Sequence, residues 1–324
     1  MSKPAIVALS PGDPAGIGPE IAWKVIRSGE FQKKGIELLC VGATKPFHDL
    51  GEPVIETNSA NLLAGEKAGA RVKHPFAWIL PAPEKSRHLL EGFQAGWSIE
   101  TATRLVQRGV ARALVTGPIH KERLRRGGFP YPGHTEFLAK LCGVKEVTMM
   151  LANDQLRVSL VTTHLALKDV PRALTRAKIR RAVLQTTDAL SNRWGIRKPR
   201  IAVMALNPHA GESGLFGNEE IQIITPVIRA LQKAARGRFL LTGPHPSDTF
   251  FATQKCDAVI CMYHDQGLIP VKLIDFKNTV NVTLGLPIVR TSVDHGVGFD
   301  IAGKGVADPS SLRAAINLAV KLSR

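Results

Sequence analysis

Short runs rich in Val, Ile and Leu, bounded by Gly, Pro or Asn, recur along the chain: AIVALS at 5–10, IELLCVG at 36–42, ARALVTG at 111–117, LRVSLVTTH at 156–164, RIAVMALN at 200–207 and DAVICMY at 257–263. Their length and β-branched content predict strands. Longer stretches with apolar residues at helical spacing separate most of them, over 19–28, 93–109, 172–194 and 218–235. Strands alternating with helices predict an α/β protein with largely parallel sheets. A chain of 324 residues exceeds the usual size of one compact core, so two domains are expected. No repeat and no low-complexity linker interrupts the pattern, which suggests interlocked domains instead of two beads on a string.

Charge changes this picture little. Lys+Arg number 43 against Asp+Glu 27, a formal net charge of +16, which suits nucleic acid, an acidic membrane, or an enzyme with phosphorylated ligands. Much of the excess lies in helix-like stretches, 104–126 and 168–200, spaced among Ala, Leu and Val as on a solvated helix face. No nucleic-acid motif and no aromatic interleaving accompanies it, so a nucleic-acid partner is not expected. Cys40, Cys142, Cys256 and Cys261 are dispersed without Cys-x-x-Cys spacing, which argues against a disulfide framework or thiolate zinc site and for a reducing, cytoplasmic setting. The apolar run near the N-terminus is closed by Pro11 and Gly12, too short for a secretory segment, and no stretch approaches a membrane span.

The chemistry concentrates at the ends of the strand-like runs. Three of them terminate near a histidine, at His164, His209 and His264. In an α/β sheet, residues just past the carboxyl ends of strands converge though distant in sequence. Three imidazoles are half of a metal shell, with positions left for a substrate oxygen. The segment 262–309 adds Lys272, Asn281 and Arg290 among apolar β-type runs: two fixed cations and an amide suited to a small anion. In GFPYPGHTEFLAKL, Gly133, His134 and Thr135 mark a helix start, where unbonded N–H groups and the helix dipole favour an anion, although Thr135 also suits a plain N-cap. SPGDPAGIGPEI follows a strand and opens a helix, but Gly12, Gly16 and Gly18 lack the G-x-G-x-x-G spacing and no acid ends the next strand, so any dinucleotide is held in a non-Rossmann manner.

The segments GDPAGIGPEI, TGPIHKERL, GHTEFLA, TTHLALKDVP, NPHAGESGLFGNEE, MYHDQGLIPVK and VNVTLGLPIVRTSVDHG, in this order, resemble the 4-hydroxythreonine-4-phosphate dehydrogenase family of vitamin B6 biosynthesis nearly end to end. The resemblance implies an isocitrate/isopropylmalate dehydrogenase-like fold of two interlocked α/β/α domains. We expect a discontinuous cofactor domain, 1–130 with 275–324, and a metal, substrate and dimerisation domain, 131–274. It places metal ligands at His164, His209 and His264, and substrate contacts at His134, Thr135, Lys272, Asn281 and Arg290. DHGVGFDIAGKGVADP is similar to an adenosine-binding loop, so Asp294, His295, Asp300 and Ile301 would meet the cofactor together with Gly12 and Asp13. The implied reaction is NAD-dependent oxidation of 4-phosphooxy-L-threonine on a divalent ion (Zn, Co, Ni, Mn or Mg), then decarboxylation to 3-amino-2-oxopropyl phosphate; NADP is an alternative acceptor. Lys272 is counted among the catalytic groups, and Asp248 and Asp265 are equal candidates for general base or for orienting a histidine. The implied assembly is a homodimer in which one metal histidine comes from the partner chain. Ser10-Pro11 departs from the family's usual Thr-Met pair, and the region after Asp248 is short. The rival readings are a paralogue acting on 4-phospho-D-threonate, the erythronate or a carboxylated dihydrodiol; a basic nucleic-acid-binding protein; and acyl transfer, for which no nucleophile with an adjacent base stands out.

Overall fold

The computed structural model describes residues 5–50, 54–56, 77–81, 90–253 and 255–324. The chain divides into two compact units, Met1–Lys145 with Leu286–Arg324, and Glu146–Gly285. The boundaries fall 10 to 15 residues beyond those expected at 130/131 and 274/275, and packing explains the difference. The helix His134–Leu141 joins the first unit because Phe137 stacks on Tyr131, with centroids 4.4 Å apart, and packs on Phe129. The segment around Asn281 joins the second because its strand pairs there.

In the first unit the described strands are β1 (Ala5–Ser10), β2 (Ile36–Gly42), β3 (Val54–Glu56), β4 (Ala77–Pro81), β5 (Ala113–Thr116) and β12 (Val289–Ser292), in the order β3-β4-β2-β1-β5-β12 and all parallel. β1 and β5 are buried over Val7–Leu9 and Ala113–Val115, as expected of strands covered on both faces. Their carboxyl ends, Ser10, Thr116 and Ser292, lie side by side by register.

The second unit orders β11 (Val280–Leu284), β6 (Thr148–Ala152), β7 (Arg157–Leu160), β10 (Ala258–Cys261), β8 (Arg200–Met204) and β9 (Leu240–His245) as β11-β6-β7-β10-β8-β9. β6 is antiparallel to both neighbours; β7, β10, β8 and β9 run parallel. Its core packs Leu151, Val158, Leu160, Met204, Val259, Leu268 and Val271.

Helices form where the spacing placed them, with three corrections. The stretch 172–194 breaks at Leu174, whose backbone is extended, and restarts as Arg176–Asn192 because the Thr175 hydroxyl caps the amide of Lys178. The stretch 218–235 opens with a π-helical turn, Glu220–Ile224, before Thr225–Ala235. Lys272 sits on a helix, His264–Ile274, and not in a β-type run: Gln266, Gly267, Leu268 and Val271 face the core at helical spacing.

Candidate active site

In the second unit, His164 lies four residues past β7, and His264 opens the helix that follows β10. β7 and β10 are hydrogen-bonded neighbours, so the two imidazoles come together with centroids 5.6 Å apart. Nδ1 of His264 lies 2.7 Å from Oδ1 of Asp265. A carboxylate on one ring nitrogen fixes the tautomer and turns the other nitrogen outward as a lone-pair donor. Asp265 thus contacts a histidine, while Asp248 stands near the start of the helix Ser247–Thr253; both carboxylates are exposed.

His209 stands apart from this pair, its ring against Phe216 at 6.0 Å. Among the described residues no group of three or more His, Cys, Asp or Glu side chains is gathered closely enough to hold a metal. The pair still fits half of a metal shell, through two adjacent imidazoles, one with a second-sphere carboxylate.

Two residues that sequence reasoning passed over brace the segments that carry these histidines. The Gln266 side chain accepts from the amide of Met262 at 2.6 Å and donates to the carbonyl of Ala205 and to Ser247 Oγ, joining the ends of β10 and β8 and the helix of Asp248. Its adjacency to His264 was the one available signal. The carboxylate of Glu220 accepts from the amides of Leu206 and Asn207, at 2.7 and 2.8 Å, and from Asn207 Nδ2 at 2.9 Å. The turn beyond it is left-handed from His209 to Ser213, with φ of 50, 54, 80, 40 and 57°. Only Gly211 is at ease there, and a Cβ at Gly211 would come within 2.7 Å of Glu220 Oε2.

In the first unit the functional groups gather at the carboxyl edge of β1, β5 and β12. Arg290, 3% exposed, donates from NH2 to Thr116 Oγ1 at 2.7 Å. Burial pushes its guanidinium pKa down to about 9, so it remains charged at neutral pH. His134 begins its helix beside this cation; the residue is half-buried, but Nε2 is closed off from solvent without a hydrogen-bond partner. Burial, then the charge of Arg290, holds its pKa well below 6.5, so the ring is neutral. Thr135 follows as the second helical residue.

Gly12 has φ +93°, and a Cβ there would lie 2.0 Å from the Pro118 carbonyl oxygen, so only glycine lets the loop close on β5's extension. Asp13, 1% exposed, accepts at Oδ1 from the Ala15 amide at 3.0 Å and Arg123 at 3.4 Å, while its buried Oδ2 has no partner. Burial raises its pKa, against the pull of the Ala15 amide and Arg123. His295 donates from Nδ1 to the Gly296 carbonyl at 2.9 Å, and its buried Nε2 is unpartnered. Native interiors seldom leave such atoms unsatisfied, so His134 Nε2, Asp13 Oδ2 and His295 Nε2 are open to a polar partner from outside the protein. Asp294 is half-buried, Asp300 is exposed, and the Ile301 amide closes a turn onto Gly298. Asn281 lies mid-strand on β11, and Lys272 Nζ sits 5.6 Å from the ring centroid of Phe276.

The family model described as pyridoxal phosphate biosynthetic protein PdxA matches residues 85–319. The chain belongs to the PdxA family. A 4-hydroxythreonine-4-phosphate dehydrogenase of Ruegeria sp. (strain TM1040) is 44% identical, covering 99% of this chain and 98% of that one. A relative from Bradyrhizobium diazoefficiens, described as a D-threonate 4-phosphate dehydrogenase, is 43% identical over 98% of this chain and 96% of its own. The crystal structure of 4-hydroxythreonine-4-phosphate dehydrogenase from Klebsiella pneumoniae superposes with a TM-score of 0.87 at 35% identity, covering 99% and 100% of the two chains. The α/β architecture read from the strand–helix pattern is therefore that of the PdxA fold.

Proposed function

We propose that this PdxA-family enzyme oxidises the secondary alcohol of 4-phosphooxy-L-threonine with NAD and releases carbon dioxide to give 3-amino-2-oxopropyl phosphate, a step toward pyridoxal 5'-phosphate. The observation that carries the reading is the His164–His264 pair at adjacent strand ends, one ring aligned by Asp265, in a chain of this family. When bound, a divalent ion would supply Lewis acidity toward a substrate oxygen, and the nicotinamide a hydride acceptor. His164 and His264 are its ligands here, and His209 is the third, drawn from the partner subunit of a homodimer. Exposed Leu165, Leu167, Leu215, Phe216, Ile269 and Leu273 lie on the three segments that carry these histidines, apolar side chains that such a partner would cover.

In the first unit Arg290 is the cation for an anionic group of the substrate, with neutral His134 donating or accepting a hydrogen bond without adding charge and Thr135 as a further polar contact. In the second unit Lys272 is the cation and Asn281 the polar contact. Of the two carboxylates, Asp265 is committed to His264, which leaves Asp248 to receive the alcohol proton. Asp13, His295 and Asp300, with Gly12, Asp294 and Ile301, hold the dinucleotide; NADP is less suited because a carboxylate near the ribose repels a 2'-phosphate. Zinc, cobalt, nickel, manganese and magnesium are the candidate ions. A cytoplasmic location accords with four free thiols, and among the described residues no helix is long and apolar enough to cross a membrane.

The likeness to the D-threonate 4-phosphate relative favours one second reading, turnover of 4-phospho-D-threonate on the same machinery. NADH formation by metal-loaded protein on both substrates, with and without chelator, separates them. Preference for the threonine substrate, abolished by chelation, is the expected result; turnover only of the threonate moves the protein to the second reading.

A further inference from the structure

The segment 296–308 contains four glycines, and its one aromatic side chain, Phe299, lies against Arg123 at 4.6 Å and His120 at 5.5 Å. Left to itself, such a loop would sample many conformations and pay for each ordered residue in backbone entropy. Internally it has two turns, Ile301 N to Gly298 O at 3.1 Å and Lys304 N to Ile301 O at 3.2 Å. Its two ends are fixed from the opposite end of the chain. At its start the Ile17 amide donates to the Val297 carbonyl at 2.9 Å, and Gly298 lies against the Ile17 side chain.

At its far end Lys24 Nζ donates to the carbonyls of Gly305 and Ala307, at 2.8 and 2.6 Å, and to Glu20 Oε1 at 2.9 Å. Glu20, only 4% exposed, accepts in turn from the amides of Gly305 and Ala307, at 3.3 and 2.9 Å. Burial pushes the Glu20 carboxyl up, but the bonds from Lys24 and the Ala307 amide outweigh it and leave its pKa below the ordinary value. A carboxylate and an ammonium on consecutive helical turns thus satisfy both backbone polarities of one loop end, and between the two anchors Asp300 is left facing solvent.

We propose that Glu20 and Lys24 are positioning residues that pre-order the 298–307 loop for the adenosine half of the dinucleotide. The proposal rests on the reading that this loop holds the cofactor. Pre-ordering removes an entropy cost from binding and leaves the chemical step alone, so the clamp acts on cofactor affinity and not on turnover.

The test uses the full-length, metal-loaded protein with Glu20→Gln and Lys24→Met. It measures NAD affinity by calorimetry, hydrogen exchange across 298–307 without cofactor, and steady-state constants. Loss of one charge-assisted bond's worth of pre-ordering predicts NAD binding weaker by about tenfold. Exchange should be faster in 298–307, with the substrate KM and kcat within about twofold of wild type. Unchanged exchange overturns the clamp. Faster exchange with unchanged NAD affinity keeps the clamp but removes the cofactor from this loop, and so overturns the proposal. A parallel fall in kcat and thermal stability with unaltered NAD affinity shows a structural role only. NAD calorimetry does not depend on which phosphorylated acid is turned over, so an error in the substrate reading leaves this test intact. Lys24, partly exposed, supplies the answer if Glu20→Gln does not fold.

Discussion

Replacing Glu220 with alanine tests whether the His209 turn is held against its own preference. His209, Ala210, Glu212 and Ser213 are four non-glycine residues with φ between 40 and 57°, and each costs at least about 1 kcal/mol in the left-handed region, roughly 4 kcal/mol together. Against this, Glu220 accepts three hydrogen bonds in a buried setting, each worth about 1.5–3 kcal/mol for a charged acceptor. The two sums are comparable, so the turn survives because the carboxylate ties down the chain just before it. Glu220→Ala strips the amides of Leu206 and Asn207 of their acceptor and vacates the space facing Gly211. If relaxation of the turn takes about 3 kcal/mol from the productive geometry of His209, zinc affinity falls by about a hundredfold. Glu220→Gln, which keeps one acceptor oxygen, should lose about tenfold. Zinc titration against a chromophoric chelator reads the affinity, and hydrogen exchange over 206–214 reads the turn. Affinity within about threefold of wild type, together with unchanged exchange, would refute the reasoning.

Three further outcomes are expected. Arg290→Lys removes the bond to Thr116 and the planar fork from a buried site, and kcat/KM should fall by about a hundredfold with little change in Tm; a loss under about threefold in steady-state assays would exclude Arg290 from substrate binding. Asp265→Asn leaves His264 with a neutral partner, and metal affinity should drop by about tenfold; elemental analysis after dialysis against graded chelator checks this, and full retention sinks the orienting role. His134 has a folded-state pKa held well below 6.5, so as the pH falls below 6.5 the unfolded chain takes up the proton first and stability declines, while above 6.5 both states are neutral and the contribution is complete. His134→Gln should therefore flatten the dependence of Tm on pH between 6.5 and about 5, and an unaltered slope in scanning calorimetry would contradict a buried, neutral ring.

Part of this protein was legible in the chain because its signals are local. Apolar runs ending in Thr116, at the edge of β8 and at Cys261 mark strands, since fully covered strands need unbroken hydrophobic stretches. The placement of His164, His209 and His264 just past strand-like runs forecasts that all three converge; the rings of His164 and His264 are neighbours, while His209 stands apart against Phe216. The glycines of the opening loop read only as lacking the dinucleotide spacing, and the contact that demands Gly12 is with Pro118, more than a hundred residues away.

What only the tertiary structure decided involves partners at large sequence separation or a choice among equivalent groups. Asp248 and Asp265 read alike in sequence; the 2.7 Å contact to His264 distinguishes them. Lys272 reads as part of an apolar β-type run, yet burial of Gln266, Leu268 and Val271 on one face makes the segment a helix. The neutrality of His134 depends first on its burial and then on Arg290, the anchoring of Arg290 on Thr116, and the conformation of the turn after Asn207 on Glu220. Charge state and backbone strain are set by burial and by the distance to other groups, which one-dimensional patterning does not encode; the sequence by itself determined which groups are available, and folding determined which of them are desolvated, paired and aimed.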